Sequence, residues 1–143
     1  MGHTEVQAFF ESYRDAFNRL DGDAVAELWH TPSAITTTRP GEAGAQLCLW
    51  TEDSPMRANH RALCGLYRGS GYRDATFEIV DCIGLGADHA FANLHWSLWQ
   101  QDGSLLQEFH TGYNLMRTAA GPKVLLVTQY EEDIARMKHH VAE

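Results

Sequence analysis

The chain has 143 residues, of which 44% are hydrophobic and 21% charged, and it carries a formal net charge of −8 at pH 7. This composition fits one globular domain over residues 1–143 with a core of its own, and it excludes a disordered or collagen-like chain. The 11 Lys and Arg residues are scattered among 19 Asp and Glu, so the chain repels phosphate backbones and anionic lipid, and neither nucleic acid nor a membrane is expected as a partner.

Residues 4–20 read as a helix. Thr4 and Gln7 stand three apart as a capping-box pair. Val6, Phe9, Phe10, Tyr13, Phe17 and Leu20 then recur at helical spacing on one face. Asp21-Gly22-Asp23 breaks this helix and caps a shorter one, from Ala24 to about Trp29, which Pro32 ends. A strand is predicted over 33–38, a Pro/Gly turn over 39–44 and a second strand over 46–51. Asp53-Ser54-Pro55 opens a third helix, with Pro favoured at its first position. It runs to about Arg68, and Gly69-Ser70-Gly71 closes it. Four strands follow, roughly 74–83, 89–101, 104–117 and 123–131. A short tail helix carries Ile134, Met137 and Val141 at helical spacing. Helices collected at one end and long strands at the other predict an α+β domain with three main helices. Its strongly curved, mostly antiparallel sheet wraps the long first helix.

Asp102-Gly103 is a two-residue hairpin signal. As the turn, it makes facing residues sum to 205. Ala90, Ala92, Leu94, Trp96 and Leu98 then face Leu115, Tyr113, Thr111, Phe109 and Gln107 on an almost wholly apolar side that covers the helices. Phe91, Asn93, His95, Ser97 and Trp99 face Asn114, Gly112, His110, Glu108 and Leu106 on the outer side. There His95 and His110 lie directly opposite each other. A three- or five-residue loop would break this register.

No apolar run reaches the roughly 20 residues that span a bilayer. Met1-Gly2-His3-Thr4 lacks the basic and apolar regions of a secretory signal. Cys48, Cys64 and Cys82 are odd in number, lack CxxC spacing and lie in apolar stretches. They are expected as buried free thiols, which suits a reducing, cytoplasmic setting.

The segment FFESYRDAFNRLDGDAVAELWHTPSAITT resembles the opening of the nuclear transport factor 2-like superfamily, and more narrowly its SnoaL-like and ketosteroid-isomerase-like branch. The marks are an amphipathic helix with a Tyr, then Ala-Phe-Asn, an Asp-Gly-Asp break, a short helix ending in Leu-Trp, and a strand. Ala90-Phe91-Ala92 and GYNLMRTAAGPKVLLV resemble the family's last strands. The resemblance covers nearly the whole chain. It implies a cystatin-like cone with an apolar pocket between sheet and helices, and a homodimer formed through the outer sheet face. It is weak for activity, because one fold hosts many functions.

By this resemblance Tyr13 matches the oxyanion-hole tyrosine, Thr37 stands where the general-base aspartate belongs, and Tyr113 or a neighbour stands where the protonated acid belongs. An oxyanion stabiliser without its base abstracts a carbon-bound proton poorly. A polyketide-cyclase reading needs a carboxylate in the pocket, and none is placed there. Trp96 and Tyr113 fall on the inferred core face. Gln129 joins them if the last strand keeps the family's alternation, with Leu125 and Val127 inward. His60 shares a helical face with Met56, Leu63 and Tyr67, and is the best-placed inward base. Each of these side chains has a competing role in plain core packing. His95, His110 and Glu108 would suit zinc or iron, but the register sets them on the outer face.

The expected function is a small-molecule pocket for an apolar or aromatic carbonyl compound. Tyr13 and His60 are its candidate catalytic residues, and Thr37, Trp96, Tyr113 and Gln129 its ligand-binding ones. As an enzyme it would be an acid/base isomerase, cyclase, dehydratase or hydrolase, with no cofactor and no metal expected. The alternatives are a non-catalytic dimerisation or interaction module, its pocket filled by Trp96, Trp50 and Phe109, and a metal-dependent enzyme using His95, His110 and Glu108.

Overall fold

A computed structural model describes residues 1–38 and 41–130. The predicted tail helix and Arg39-Pro40 of the predicted turn lie outside the described residues. The described chain forms α1 (His3–Asn18), α2 (Gly22–Glu27), β1 (Trp29–Thr37), β2 (Gln46–Trp50), α3 (Asp53–Gly69), β3 (Tyr72–Leu85), β4 (His89–Gln100), β5 (Leu105–Thr118) and β6 (Gly121–Tyr130). It is an α+β fold with three helices and one six-stranded sheet, ordered β2-β1-β6-β5-β4-β3. Every pairing is antiparallel except β1 with β6.

The core lies where the sheet curls over α1 and α3. Val6, Phe9, Phe10, Tyr13 and Ala16 of α1 are buried, as are Met56, His60, Cys64 and Tyr67 of α3. Asn18 ties the end of α1 to β3, its Oδ1 accepting from the Tyr72 hydroxyl at 2.9 Å and from the Ala75 amide at 2.9 Å. Asp21 caps α2 as expected, its carboxylate accepting from the Ala24 amide at 3.0 Å.

Several local expectations need correction. The Thr4–Gln7 capping box does not form. Gly2 is the N-cap, and Gln7 donates instead to Glu11 at 3.1 Å. The helix begins earlier because the Met1 amino group bonds Gly86 O at 2.7 Å and anchors the chain before it. Pro55 occupies the third helical position of α3, still inside the first turn, where a missing N–H costs nothing. Pro32 does not end α2. That helix stops at Glu27, and Pro32 lies in β1 where its pairing with β6 is interrupted. Of the three cysteines only Cys64 is buried; Cys48 is exposed on the edge strand β2 and Cys82 is half-buried.

The β4–β5 register is the one that sums to 205, from His89↔Met116 to Leu98↔Gln107. The turn itself differs. The Gln100 amide bonds Ser104 O at 2.8 Å and Gly103 has φ +86°, which makes a three-residue loop with glycine in the left-handed position. The resulting one-residue shift is cancelled by a bulge between Leu98 and Trp99, opposite which Leu106 and Gln107 are both fully buried. Leu106 therefore belongs to the core, not to the outer face. A second irregularity, opposite Asn114/Leu115, buries Val124 rather than Leu125.

Candidate functional site

A cavity of about 450 Å³ opens between α1, α3 and the inner face of the sheet. Helical spacing aims Tyr13 and Phe17 into it from α1, and His60, Leu63 and Tyr67 from α3. Strand alternation adds Ile35 and Thr37 from β1, Trp96 and Leu98 from β4, Phe109, Thr111 and Tyr113 from β5, and Val127 and Gln129 from β6. All six residues proposed from the sequence, Tyr13, Thr37, His60, Trp96, Tyr113 and Gln129, thus line one cavity. The rings of Trp96, Trp50 and Phe109 stand in its wall and leave it open.

Sheet topology explains a polar row across the floor. Thr37 pairs with Gln129 through the parallel β1–β6 contact, and Gln129 pairs with Thr111 through β5–β6. The β5–β6 hairpin and the sequence-distant β1 therefore present neutral hydrogen-bonding side chains side by side.

Two phenols are held by two indoles. Trp29 Nε1 donates to the Tyr13 hydroxyl at 3.1 Å, and Trp96 Nε1 donates to the Tyr113 hydroxyl at 3.0 Å. The Tyr13 and Tyr113 rings meet edge to face, 5.8 Å between centroids. Burial holds both phenols above their ordinary range, and the indole donors offset this only in part. Each phenol stays neutral and keeps its own O–H as a donor.

His60 has no such support. Its imidazole is 2% exposed, and among the described residues neither ring nitrogen has a hydrogen-bond partner. The ring packs against Trp29, 4.6 Å between centroids. Burial, and then the Arg57 charge, lower its pKa to about 4. It is neutral at physiological pH. None of the described residues lining the cavity is Asp, Glu, Lys or Arg.

The residues missed in the sequence are Trp29 and Thr111. Trp29 orients Tyr13 and covers His60, but the Trp29–Tyr13 bond joins residues 16 apart in different elements. Thr111 falls on the core face of the predicted hairpin, and a buried hydroxyl among apolar neighbours is itself a signal.

His95, His110 and Glu108 lie on the outer face. The two imidazoles are 4.8 Å apart between centroids, and His95 Nε2 is 3.5 Å from Glu108 Oε2. His110 also stacks on Tyr130. Among the described residues no group of three or more His, Cys, Asp or Glu is arranged to hold a metal ion. Nor is any described helix long and apolar enough to cross a membrane.

The family whose model matches the chain, over residues 4–132, is described as NTF2-like protein (DUF6841). The chain belongs to this NTF2-like family. Solved structures agree on the NTF2-like fold. A domain of unknown function with a cystatin-like fold from Nostoc punctiforme superposes with a TM-score of 0.69 at 12% identity, covering 97% of this chain and 85% of that one. An NTF-2 like protein of unknown function from Shewanella oneidensis gives 0.68 at 13% identity, covering 90% and 98%. A ketosteroid isomerase-like protein from Erwinia carotovora gives 0.61 at 16% identity, covering 90% and 95%. No curated protein matches the sequence. At these identities the likeness concerns the fold alone.

Proposed function

We propose that this NTF2-like protein binds an uncharged apolar or aromatic carbonyl compound in the cavity between α1, α3 and the sheet. The observation that carries this reading is the pair of indole-anchored phenols, Tyr13 and Tyr113, on an aromatic wall that holds no described charged residue. Neutral donors held in place by fixed partners stabilise a carbonyl oxygen without having to reorganise. The volume falls in the range of small-molecule sites, which favours a ligand over a purely structural module. A bound carboxylate would lose its hydration and find no counter-charge there.

As a catalyst, Tyr13 and Tyr113 would polarise the ligand oxygen and His60 would move the proton. A general base works best with a pKa near the operating pH, and His60 at about 4 lies well below it. Binding, or chemistry satisfied by a weak base, is therefore the reading we favour. We further propose that the protein pairs through its outer sheet face, where Leu47, Leu49, Ile83 and Leu85 are more than half exposed. Its three free cysteines fit a cytoplasmic setting.

The test is a thermal-shift screen against apolar phenols, enones, steroids and cyclic ketones, repeated on Tyr13→Phe and Tyr113→Phe. A ligand at a hundred times its Kd stabilises by about 2.7 kcal/mol, several degrees for a domain of this size. The expected result is a shift that shrinks in both variants. Shifts unchanged in both would remove the phenol pair from the site. A flat screen would favour the interaction module.

A further inference from the structure

We propose that the ligand carries a second, uncharged hydrogen-bonding group, a hydroxyl, and that His60 is the residue that selects it. This deepens the carbonyl-binding reading and rests on it.

The polar groups of the cavity divide into those already served and those that are not. Tyr13 and Tyr113 each accept from an indole. Thr37 and Gln129 are only half-buried, so water reaches them. His60 and Thr111 are different: both are almost fully buried and line the cavity, and the Thr111 hydroxyl and both His60 ring nitrogens lack a partner among the described residues; His60 carries two such atoms, and its ring packs on Trp29. An unsatisfied buried polar group is costly, and a ligand group that meets it recovers that cost. Selection against a ligand lacking the group follows from the same asymmetry.

The chemistry of the missing group follows from the imidazole. A neutral imidazole offers one N–H donor and one acceptor nitrogen, and a hydroxyl can answer either. An ammonium or a carboxylate would enter a wall with no described counter-charge. The placement follows from Trp29, which touches both contacts: its Nε1 holds the Tyr13 hydroxyl at 3.1 Å, and its ring packs on His60 at 4.6 Å. The carbonyl site and the hydroxyl site therefore flank a single indole on one rigid wall. A fused bicyclic hydroxy-ketone carries both groups on one rigid frame; a simple monofunctional ketone satisfies one end only.

The experiment is a tryptophan-fluorescence titration of the full chain, since Trp29, Trp50 and Trp96 line the cavity. The probes are 1-tetralone, its hydroxylated ring isomers and the matching methoxy and carboxy derivatives. At least one hydroxytetralone should bind about tenfold more tightly than 1-tetralone. That advantage should vanish in His60→Phe, which keeps a ring and removes both nitrogens, and be partly restored in His60→Gln. Cooperative thermal unfolding of His60→Phe shows that the fold has survived the substitution. If every tetralone binds alike, or the preference persists in His60→Phe, this inference falls while the carbonyl-binding reading stands. Equal or tighter binding of the carboxy derivative overturns the uncharged-group assignment. If no tetralone binds, both fall.

Discussion

His60 makes the sharpest single-residue prediction. Its pKa is lowered from an unfolded value near 6.5 to about 4, with burial the main cause and Arg57 the second. Between those values the unfolded chain holds a proton that the folded chain does not. Stability from keeping this ring neutral is therefore complete above about pH 6.5 and is lost as pH falls toward 4. The loss between pH 7 and 4.5 should be roughly 2–3 kcal/mol. His60→Leu should flatten this acid limb. Denaturation midpoints at the two pH values check it, and equal pH sensitivity in both proteins would count against the buried neutral ring. The helical face of His60 was readable from its spacing with Met56, Leu63 and Tyr67. Its lack of partners among the described residues was not, because Trp29, which packs on it, comes from elsewhere in the chain. Tyr13 was readable for the same reason as His60, and its indole partner was hidden for the same reason.

At the scale of elements, two glycines of similar local appearance behave oppositely. Gly22 opens α2 where its backbone meets α3, and a Cβ there would lie 2.7 Å from both the Arg61 Cα and its nitrogen. The obstacle is backbone, so it cannot turn aside. Gly22→Ala should cost about 1–3 kcal/mol by prying the two helices apart. Gly65, within α3, has nothing within 4 Å of a Cβ position. Gly65→Ala should stabilise by about 0.5–1 kcal/mol through backbone entropy alone. Urea midpoints of the two variants should move in opposite directions, and a shared direction would refute the contact argument. The β4–β5 hairpin shows how a register can be read while its turn is misread. The alternation of Ala90, Ala92, Leu94, Trp96 and Leu98 demands one buried face. Burial of that face constrains the register more strongly than loop chemistry does, so the shift from a three-residue loop is absorbed by a bulge at Leu106.

At the scale of the whole molecule, the sheet leaves apolar side chains uncovered at both edges, Leu47 and Leu49 on β2 and Val80, Ile83 and Leu85 on β3. The outer-face dimer proposed above should appear by light scattering at micromolar concentration. Leu49→Lys and Ile83→Lys should each shift it toward monomer without lowering single-chain stability, because both side chains are more than half exposed. A monomeric wild-type protein would refute the pairing.

Helix and strand periodicities already separated inward from outward faces, because burial of apolar side chains repeats at 3.6 residues on a helix and at two on a strand. That was enough for the α+β class, the order of its elements, the outward setting of His95 and His110, and the inward setting of Tyr13, His60, Trp96 and Tyr113. The tertiary structure alone decided the rest. The parallel β1–β6 pairing that sets Thr37 beside Gln129, the indoles that hold the two phenols, and the open volume over His60 all join residues from different elements. Periodicity reports which way a side chain points; what it meets there depends on how the layers close, and that closure is a long-range packing problem.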